Sequence, residues 1–210
     1  MSQMIKLAIG EERFKTRNPA LARQVLEQST GLTATHQVAG ELVSSFGFTA
    51  PQIGHYWHGE GGTYAGLVRG ENGTPDYHLI VPTDPAGQVE EVTWGAPGKN
   101  EDGATSAHDG LSNTRALCES EHDHPAAQWA ADVEIDGHRD FYLPARHELR
   151  LCYLNVPELF STDDWYSSST QYSPDVAWLQ GFVDGYQLDD RKDNARRAVA
   201  VRRVLNPSTI

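Results

Sequence analysis

The apolar periodicity of this chain changes twice after residue 50, and that order limits the folds it can adopt. Alternating apolar and polar residues at 63–82 predict a pair of β-strands. Helical spacing follows at 112–133 and at about 145–154, and strand-like alternation returns at 165–204. Because the chain runs from strands to helices and back to strands, we predict an α+β fold.

Turn residues and helix breakers place the ends of these elements. Asn72-Gly73 predicts a β-hairpin between the first two strands, since this dipeptide is typical of tight turns. Pro125 divides the first helical segment into two helices. A further short strand is predicted at 89–94, while Gly185 and the acidic run 189–194 predict turns. Small apolar and basic residues alternate to the end of the segment, as one partly buried closing strand requires.

The first fifty residues differ from the rest of the chain in their sequence pattern and are predicted to form a separate arm. Residues 4–10 are typical of a short strand, and a helix is predicted over 18–30, which opens on an Asn-Pro step and is followed by glycine. A second helix is predicted from Thr35, with an apolar face of Val38, Leu42, Val43 and Phe46. We interpret 1–50 as an attachment or oligomerisation arm and 51–210 as the main domain.

Charge and composition exclude several classes of protein. Lys and Arg number 17 against 29 Asp and Glu, and the resulting net charge of -12 disfavours binding to nucleic acid. No apolar run reaches the roughly 18 residues of a transmembrane helix, so membrane insertion is not expected. The N-terminus resembles no export signal, and we expect synthesis in a cytoplasm.

The reactive side chains match no familiar catalytic or metal-binding motif. The closest histidine grouping is His122-Asp123-His124, with His138 and His147 further on, and this pattern is more typical of a solvated turn or helix cap than of zinc. The run 189–194 lacks calcium-loop spacing, and phosphate loops and nucleophile elbows are missing. We therefore predict no metal, no cofactor and no enzymatic activity.

The two cysteines are predicted to be small buried thiols. Cys118 and Cys152 both lie in apolar helical patterns, and their spacing matches no metal or redox pair. Cys152 shares a predicted helix face with Leu149 and Tyr153.

Four segments of the main domain together resemble a known family. The segments 109–117, 124–155, 165–187 and 198–204 follow in order the pattern of the domain at the C-terminus of the Legionella collagen-like adhesin, which also occurs in tailed-phage proteins. The resemblance covers about residues 51–205 and implies a C-type-lectin-like fold related to the formylglycine-generating enzyme. The family's Trp-Ser-Ser-Thr element reads Trp165-Tyr166-Ser167-Ser168-Ser169-Thr170 in this chain, so either an extra residue or a swapped aromatic leaves the local register open.

One motif of the resemblance has a plain structural interpretation. In the stretch Leu-Pro-Ala-Arg-His-Glu-Leu, Arg146 and Glu148 are expected to anchor the loops through charge-assisted hydrogen bonds, while Leu143 and Leu149 pack in the core.

The segment 172–194 is also similar to the variable region of proteins diversified by retroelements. That similarity implies a framework of Ala177, Trp178, Gln180, Phe182, Gly185, Gln187 and Lys192. It implies a displayed set of Asp175, Val176, Leu179, Gly181, Val183, Asp184, Tyr186, Leu188, Asp189, Asp190 and Arg191. The candidate ligand-binding residues are this set without Gly181 and Val183, together with Tyr172, which is expected at the surface.

Side-chain chemistry supports a binding role for this segment independently of the resemblance. Tyr and Trp offer a large contact area with few torsions to freeze, and Ser and Asp add adaptable hydrogen bonding. Strand alternation predicts that Trp178 and Phe182 lie in the core. Tyr172, Tyr186 and the carboxylates beside them are then the expected surface.

The function implied by the resemblance is that of a phage virion component. We expect a tail-tip or fibre protein that recognises a host surface glycan or protein, assembles with other virion proteins and forms a homo-oligomer, with a trimer favoured. Two alternatives stay open at this point, namely a capsid decoration or structural tail protein and a bacterial adhesin or ligand-binding module.

Overall fold

A computed structural model of the 210-residue chain describes residues 5–9, 12–16, 33–34, 46–47, 50–71 and 73–205. Contacts divide the chain into two compact units, Met1–Pro51 and Gln52–Ile210. Among the described residues, no helix is long and apolar enough to cross a membrane.

The first unit contains two short antiparallel strand pairs. β1 (Ile5–Ile9) pairs with β2 (Glu12–Thr16), which confirms the strand predicted near the N-terminus. β3 (Thr33–Ala34) pairs with β4 (Phe46–Gly47). The prediction that places Phe46 on a helix is wrong, because its backbone is paired in an extended strand. The two predicted helices otherwise lie outside the described residues.

The second unit is a mixed α+β fold with two five-stranded sheets and three helices. Its elements in chain order are β5 (Tyr56–Trp57), β6 (Gly62–Val68), β7 (Tyr77–Val81), β8 (Gln88–Thr93), α1 (Gly110–Glu119), α2 (Pro125–Asp132), β9 (Phe141–Tyr142), α3 (Arg146–Asn155), β10 (Trp165–Gln171), β11 (Val176–Gly181), β12 (Gln187–Arg191), β13 (Ala195–Val199) and β14 (Val201–Leu205). The first sheet has the order β5-β6-β7-β14-β9 and the second β12-β11-β10-β13-β8.

Several sequence predictions hold in this unit. The predicted hairpin is formed by β6 and β7, which pair antiparallel, although Asn72 of its turn lies outside the described residues. β8 is the predicted short strand, and α1 and α2 are separated before Pro125. In α3, Leu149 and Cys152 are fully buried as the helical spacing predicts.

Two predictions about the C-terminal strands are corrected. The acidic run predicted as a turn forms β12 through Arg191, and the turn begins only at Lys192. An edge strand needs no apolar alternation, since charged side chains there protect the open edge. The predicted single closing strand is two strands that belong to different sheets. They separate at Ala200, whose N–H donates to the Gly87 carbonyl at 2.9 Å.

The main core lies around α3 and receives side chains from both sheets. Its members include Leu79, Tyr142, Leu149, Tyr166, Phe182 and Val201. Phe182 stacks on Phe160 with ring centroids 3.9 Å apart, and Tyr166 meets Phe182 edge to face. The segment after β11 is therefore tied into the core although it begins a surface loop.

Candidate recognition surface

The segment 172–194, which resembles a display cassette, forms two strands of the second sheet, β11 and β12, and the loops beside them. Residues 172–175 connect β10 to β11, and residues 182–186 connect β11 to β12. β12 is the edge of the sheet. Its pairing with β11 sets Trp178 directly opposite Asp189. Because directly paired residues project to the same face, these two side chains are neighbours on one face of the sheet edge.

A stack of aromatic and cationic side chains lies where this face meets the start of α3. The guanidinium carbon of Arg146 is 4.0 Å from the centroid of the Trp178 ring, and Tyr172 meets that ring edge to face with centroids 5.1 Å apart. Tyr172 is 59% exposed, whereas Arg146 and Trp178 are half-buried. Nε2 of Gln187 donates to the Arg146 carbonyl at 2.6 Å and fixes the helix end. These contacts hold an aromatic group at the surface in one orientation.

The β11–β12 loop presents a second apolar group. Val183 and Tyr186 are each 70% exposed. Gly185 between them has a φ of +76°, and a side chain at this position would overlap the Tyr153 ring. The Gly185 carbonyl accepts a hydrogen bond from Arg150. The loop is thus anchored on α3 while its apolar side chains point away from the core.

A buried lysine supports the opposite end of the surface. The side chain of Lys192 is fully buried, and its Nζ donates to Oε1 of Gln171 at 2.7 Å and to the Lys99 carbonyl at 2.8 Å. The same Nζ lies 4.4 Å from the centroid of the Trp94 ring. The Lys192 N–H donates to the Asp175 carbonyl at 3.0 Å. Lys192 therefore joins the end of β10 and the loop 172–175 to the loop after β8.

The titration of Lys192 leads to a testable prediction. Burial lowers the pKa of Lys192 to about 8, below the ordinary value of 10.5. Between these two pH values the unfolded chain binds more protons than the folded chain, so the free energy of unfolding should rise with pH. We expect the urea midpoint to increase between pH 8 and pH 9.5, and Lys192→Met to abolish that increase. Equal pH profiles for the two proteins would contradict this.

Glu148 of α3 organises the structure behind the surface. Its carboxyl accepts hydrogen bonds from the Tyr142 hydroxyl at 2.6 Å and from the N–H groups of Ala145 at 2.7 Å and Gly110 at 3.1 Å. The Tyr77 hydroxyl lies 2.7 Å from the same carboxyl. Burial raises the pKa of Glu148, and these donors oppose the rise. The side chain joins α3 to α1 and to both β7 and β9.

The expected anchoring role is therefore confirmed for Glu148 and differs for Arg146. No carboxylate lies within ion-pair distance of Arg146 in the part of the chain that the structure describes. Its described side-chain contact is the Trp178 ring. Arg146 anchors the loop by stacking and not by a charge-assisted hydrogen bond.

The structure exposes most of the candidate ligand-binding residues. The exposed members are Tyr172, Asp175, Asp184, Tyr186, Leu188, Asp189 and Arg191, whereas Val176 and Asp190 are half-buried. Arg191 is already held by Asp193 in a two-pronged ion pair. Asp190 accepts hydrogen bonds from Arg196 and Asn194, which gives it a structural role.

Two displayed positions and one framework position are corrected. Leu179 is only 4% exposed and Gly181 is buried against the Trp165 ring, so neither is available to a ligand. β11 lies between β10 and β12 and is covered on both faces, whereas simple alternation assumes one open face. Trp178 was predicted to lie in the core, but it is half-buried because it contacts Arg146 at the end of α3. Phe182 is confirmed in the core.

One reactive group lies where the sequence predicts it and another does not. His124 occupies the N-cap position of α2, in agreement with the predicted helix cap, but it is fully buried and its side chain makes no capping hydrogen bond. Its Nε2 lies 3.1 Å from Glu101 without the alignment of a hydrogen bond. Cys118 is exposed, in contrast to the predicted buried thiol. Partial desolvation at the protein surface and the nearby carboxylates of Asp132 and Glu119 raise the pKa of the Cys118 thiol, which disfavours the reactive thiolate.

A cleft that sequence reasoning missed lies between the β6–β7 loop and the start of α1. It has a volume of about 300 Å³, and its walls include Glu71, His108, Asp109 and Arg203. These residues come from three separate parts of the sequence and match no motif, so only tertiary structure brings them together. In the described residues, no group of three or more His, Cys, Asp or Glu side chains could hold a metal ion.

Together these features describe an α+β protein that carries a preorganised aromatic surface beside the edge of a sheet. No protein-family model matches the chain, and a search among curated proteins finds no significant match.

Proposed function

We propose that this protein is a binding component of a phage virion, with a C-type-lectin-like main domain that recognises a host surface structure through the edge of its second sheet. The observation that carries the proposal is the stack of Arg146, Trp178 and Tyr172 beside the exposed loop of Val183 and Tyr186. The virion role and the lectin-like fold rest on the sequence resemblance of residues 51–205.

The energetics of binding favour a surface of this kind. Exposed Tyr side chains contribute apolar contact area and a hydrogen-bonding hydroxyl while losing little conformational entropy. Their anchors are already ordered, since Gln187 and Lys192 hold the surrounding backbone by hydrogen bonds. A ligand therefore needs to order few protein groups when it binds, which reduces the free-energy cost of association.

The proposal assigns attachment to the first fifty residues. This unit would connect the main domain to other virion proteins or to sister subunits. A trimer fits the threefold symmetry common at fibre ends, because closed cyclic assemblies repeat one interface.

Substitution of two displayed side chains by alanine tests the recognition surface. We expect Tyr186→Ala combined with Asp189→Ala to abolish binding of the labelled protein to cells of candidate bacterial hosts, measured by flow cytometry. Both side chains are exposed, so the melting temperature should stay within about 2 °C of the parent protein.

A matched pair of residues outside the cassette provides the control. Tyr56 and Asp136 are also exposed, and they hydrogen-bond to each other at 2.7 Å. Tyr56→Ala with Asp136→Ala should leave cell binding intact. Unaltered binding by the Tyr186 and Asp189 double variant would rule out this surface.

The exposed apolar loop would also fit an interface between subunits, so a structural virion protein is the second candidate function. Electron microscopy of labelled particles separates the two, because a decoration protein occupies many lattice positions and a receptor binder lies at the tail. Tail genes, capsid genes or a reverse transcriptase beside the gene would discriminate further.

A further inference from the structure

Two histidines meet at the start of α3, on the wall of the cleft described above. Nδ1 of His147 lies 3.1 Å from both ring nitrogens of His108, and the two rings are edge to face with centroids 4.2 Å apart. Nε2 of His108 lies 3.3 Å from Oε1 of Glu71. Glu71, His108 and His147 thus form one row. They come from the β6–β7 loop, the segment before α1 and the first turn of α3.

The geometry limits how many protons this row can hold. When both rings are neutral, one ring N–H can donate across the contact to the other ring. One added proton on the pair is tolerated, since the Glu71 carboxylate lies 3.3 Å from the row and offsets one positive charge. A second added proton places two cations in contact, with ring nitrogens 3.1 Å apart. The contact is therefore compatible with at most one imidazolium.

The surrounding charges do not stabilise the second proton. Burial, His108 and Arg146 lower the pKa of His147, and Glu71 alone among its charged neighbours raises it. The other charged groups near the pair are Glu148 and Arg150 on α3, Asp109 before α1, Arg69 after β6 and Arg203 on β14. Asp109 is already paired with Arg203 at 2.6 Å.

The segment that carries His108 is held at both ends, because Asp109 at its far end accepts the Ser112 N–H at 3.1 Å and pairs with Arg203. Ser106 exchanges two hydrogen bonds with the Asn113 side chain, and its carbonyl accepts a third from the Thr170 hydroxyl at 2.8 Å. Beyond Ser106, the Ala107 carbonyl accepts the His147 N–H at 3.0 Å, and the His108 carbonyl lies 3.1 Å from the Tyr77 hydroxyl. Repulsion between the rings would act directly on these last contacts.

We propose that His108, His147 and Glu71 form an acid-sensitive clasp, which holds residues 107–108 against α3 when at most one ring is protonated and releases them when both are. Release widens the cleft and breaks the hydrogen bond from the His147 N–H in the first turn of α3 to the Ala107 carbonyl. That turn also carries Arg146 of the Trp178 stack, so acid would additionally loosen the recognition surface, a consequence that rests on the proposed function.

Hydrogen exchange read by mass spectrometry tests the clasp without any ligand. After correction for intrinsic rates, peptides covering 146–149 in the parent protein should lose protection between pH 7 and pH 5, because release removes the Ala107 carbonyl that accepts the His147 N–H. The protection factor should fall by about tenfold for each pH unit by which the contact between the rings lowers the pKa of the second histidine to be protonated. Peptides from β10 should keep their protection.

Three variants separate the clasp from general acid unfolding. His147→Asn should abolish the acid response, whereas His55→Asn, a change at an exposed histidine elsewhere, should retain it. Glu71→Gln removes the carboxylate that favours the first proton and should move the response to lower pH. An acid response that persists in His147→Asn, that is lacking in the parent protein or that appears equally in β10 would overturn the proposal. Such a result would leave the cell-binding test unaffected.

Discussion

Replacing Glu148 with alanine is expected to destabilise the second unit by about 3–5 kcal/mol, enough to unfold many domains of this size. The carboxyl is fully buried and accepts hydrogen bonds from three donors, with the Tyr77 hydroxyl as a fourth neighbour. Its loss leaves these groups unpaired in the core and also opens a cavity. Urea unfolding monitored by tryptophan fluorescence measures the change.

The matched control for this prediction is an acidic residue at the surface of the same unit. Glu158 is exposed, and Glu158→Ala should change the free energy of unfolding by less than about 0.5 kcal/mol. Glu148→Gln should remain strongly destabilising, because its amide N–H₂ would face N–H and O–H donors. A Glu148→Ala protein as stable as the Glu158→Ala protein would show that the network contributes little.

Phe182→Ala is expected to cost about 3–5 kcal/mol, although the residue lies at the start of a surface loop. Its ring is 4% exposed and stacks on Phe160 within the main core. The adjacent residue provides the control, since Val183 is 70% exposed and Val183→Ala should change stability by less than about 0.5 kcal/mol.

The opposite pattern is expected for cell binding. Val183→Ala should weaken binding because it removes apolar contact area from the displayed loop, while the protein stays folded. If Phe182→Ala proved as stable as Val183→Ala, the loop would not be anchored in the core, and the separation of framework from displayed residues would be wrong.

Local sequence patterns predicted the helices and strands of the second unit more accurately than they predicted which residues are buried. Hydrophobic periodicity and Pro125 were sufficient for α1, α2 and α3, and the strand alternation indicated β6, β7, β8, β10 and β11. β12 was missed because Asp189, Asp190 and Arg191 are typical of a turn, and only pairing with β11 makes them a strand. Leu179 was misassigned because its exposure depends on what covers each face of the sheet.

Only part of the candidate surface could be predicted, because exposure and long-range contacts depend on the elements that cover each residue. Tyr172 and Tyr186 were identified from residue type and turn position, and the structure exposes both. The contact of Arg146 with Trp178 could not be predicted, since it joins a helix end to a strand 32 positions later in the sequence. The His108–His147 contact likewise joins residues that no local pattern relates.

By itself the sequence determined the α+β order of the chain, its breaks at proline and glycine, and the segment rich in side chains suited to binding. These properties depend on neighbours along the chain, which periodicity and backbone preferences report directly. The tertiary structure alone decided which cassette residues are exposed, how Ala200 passes the chain from one sheet to the other, and which distant groups meet at Glu148 and at the histidine clasp. Burial and long-range contacts depend on the elements that cover a residue, and those elements come from every part of the second unit.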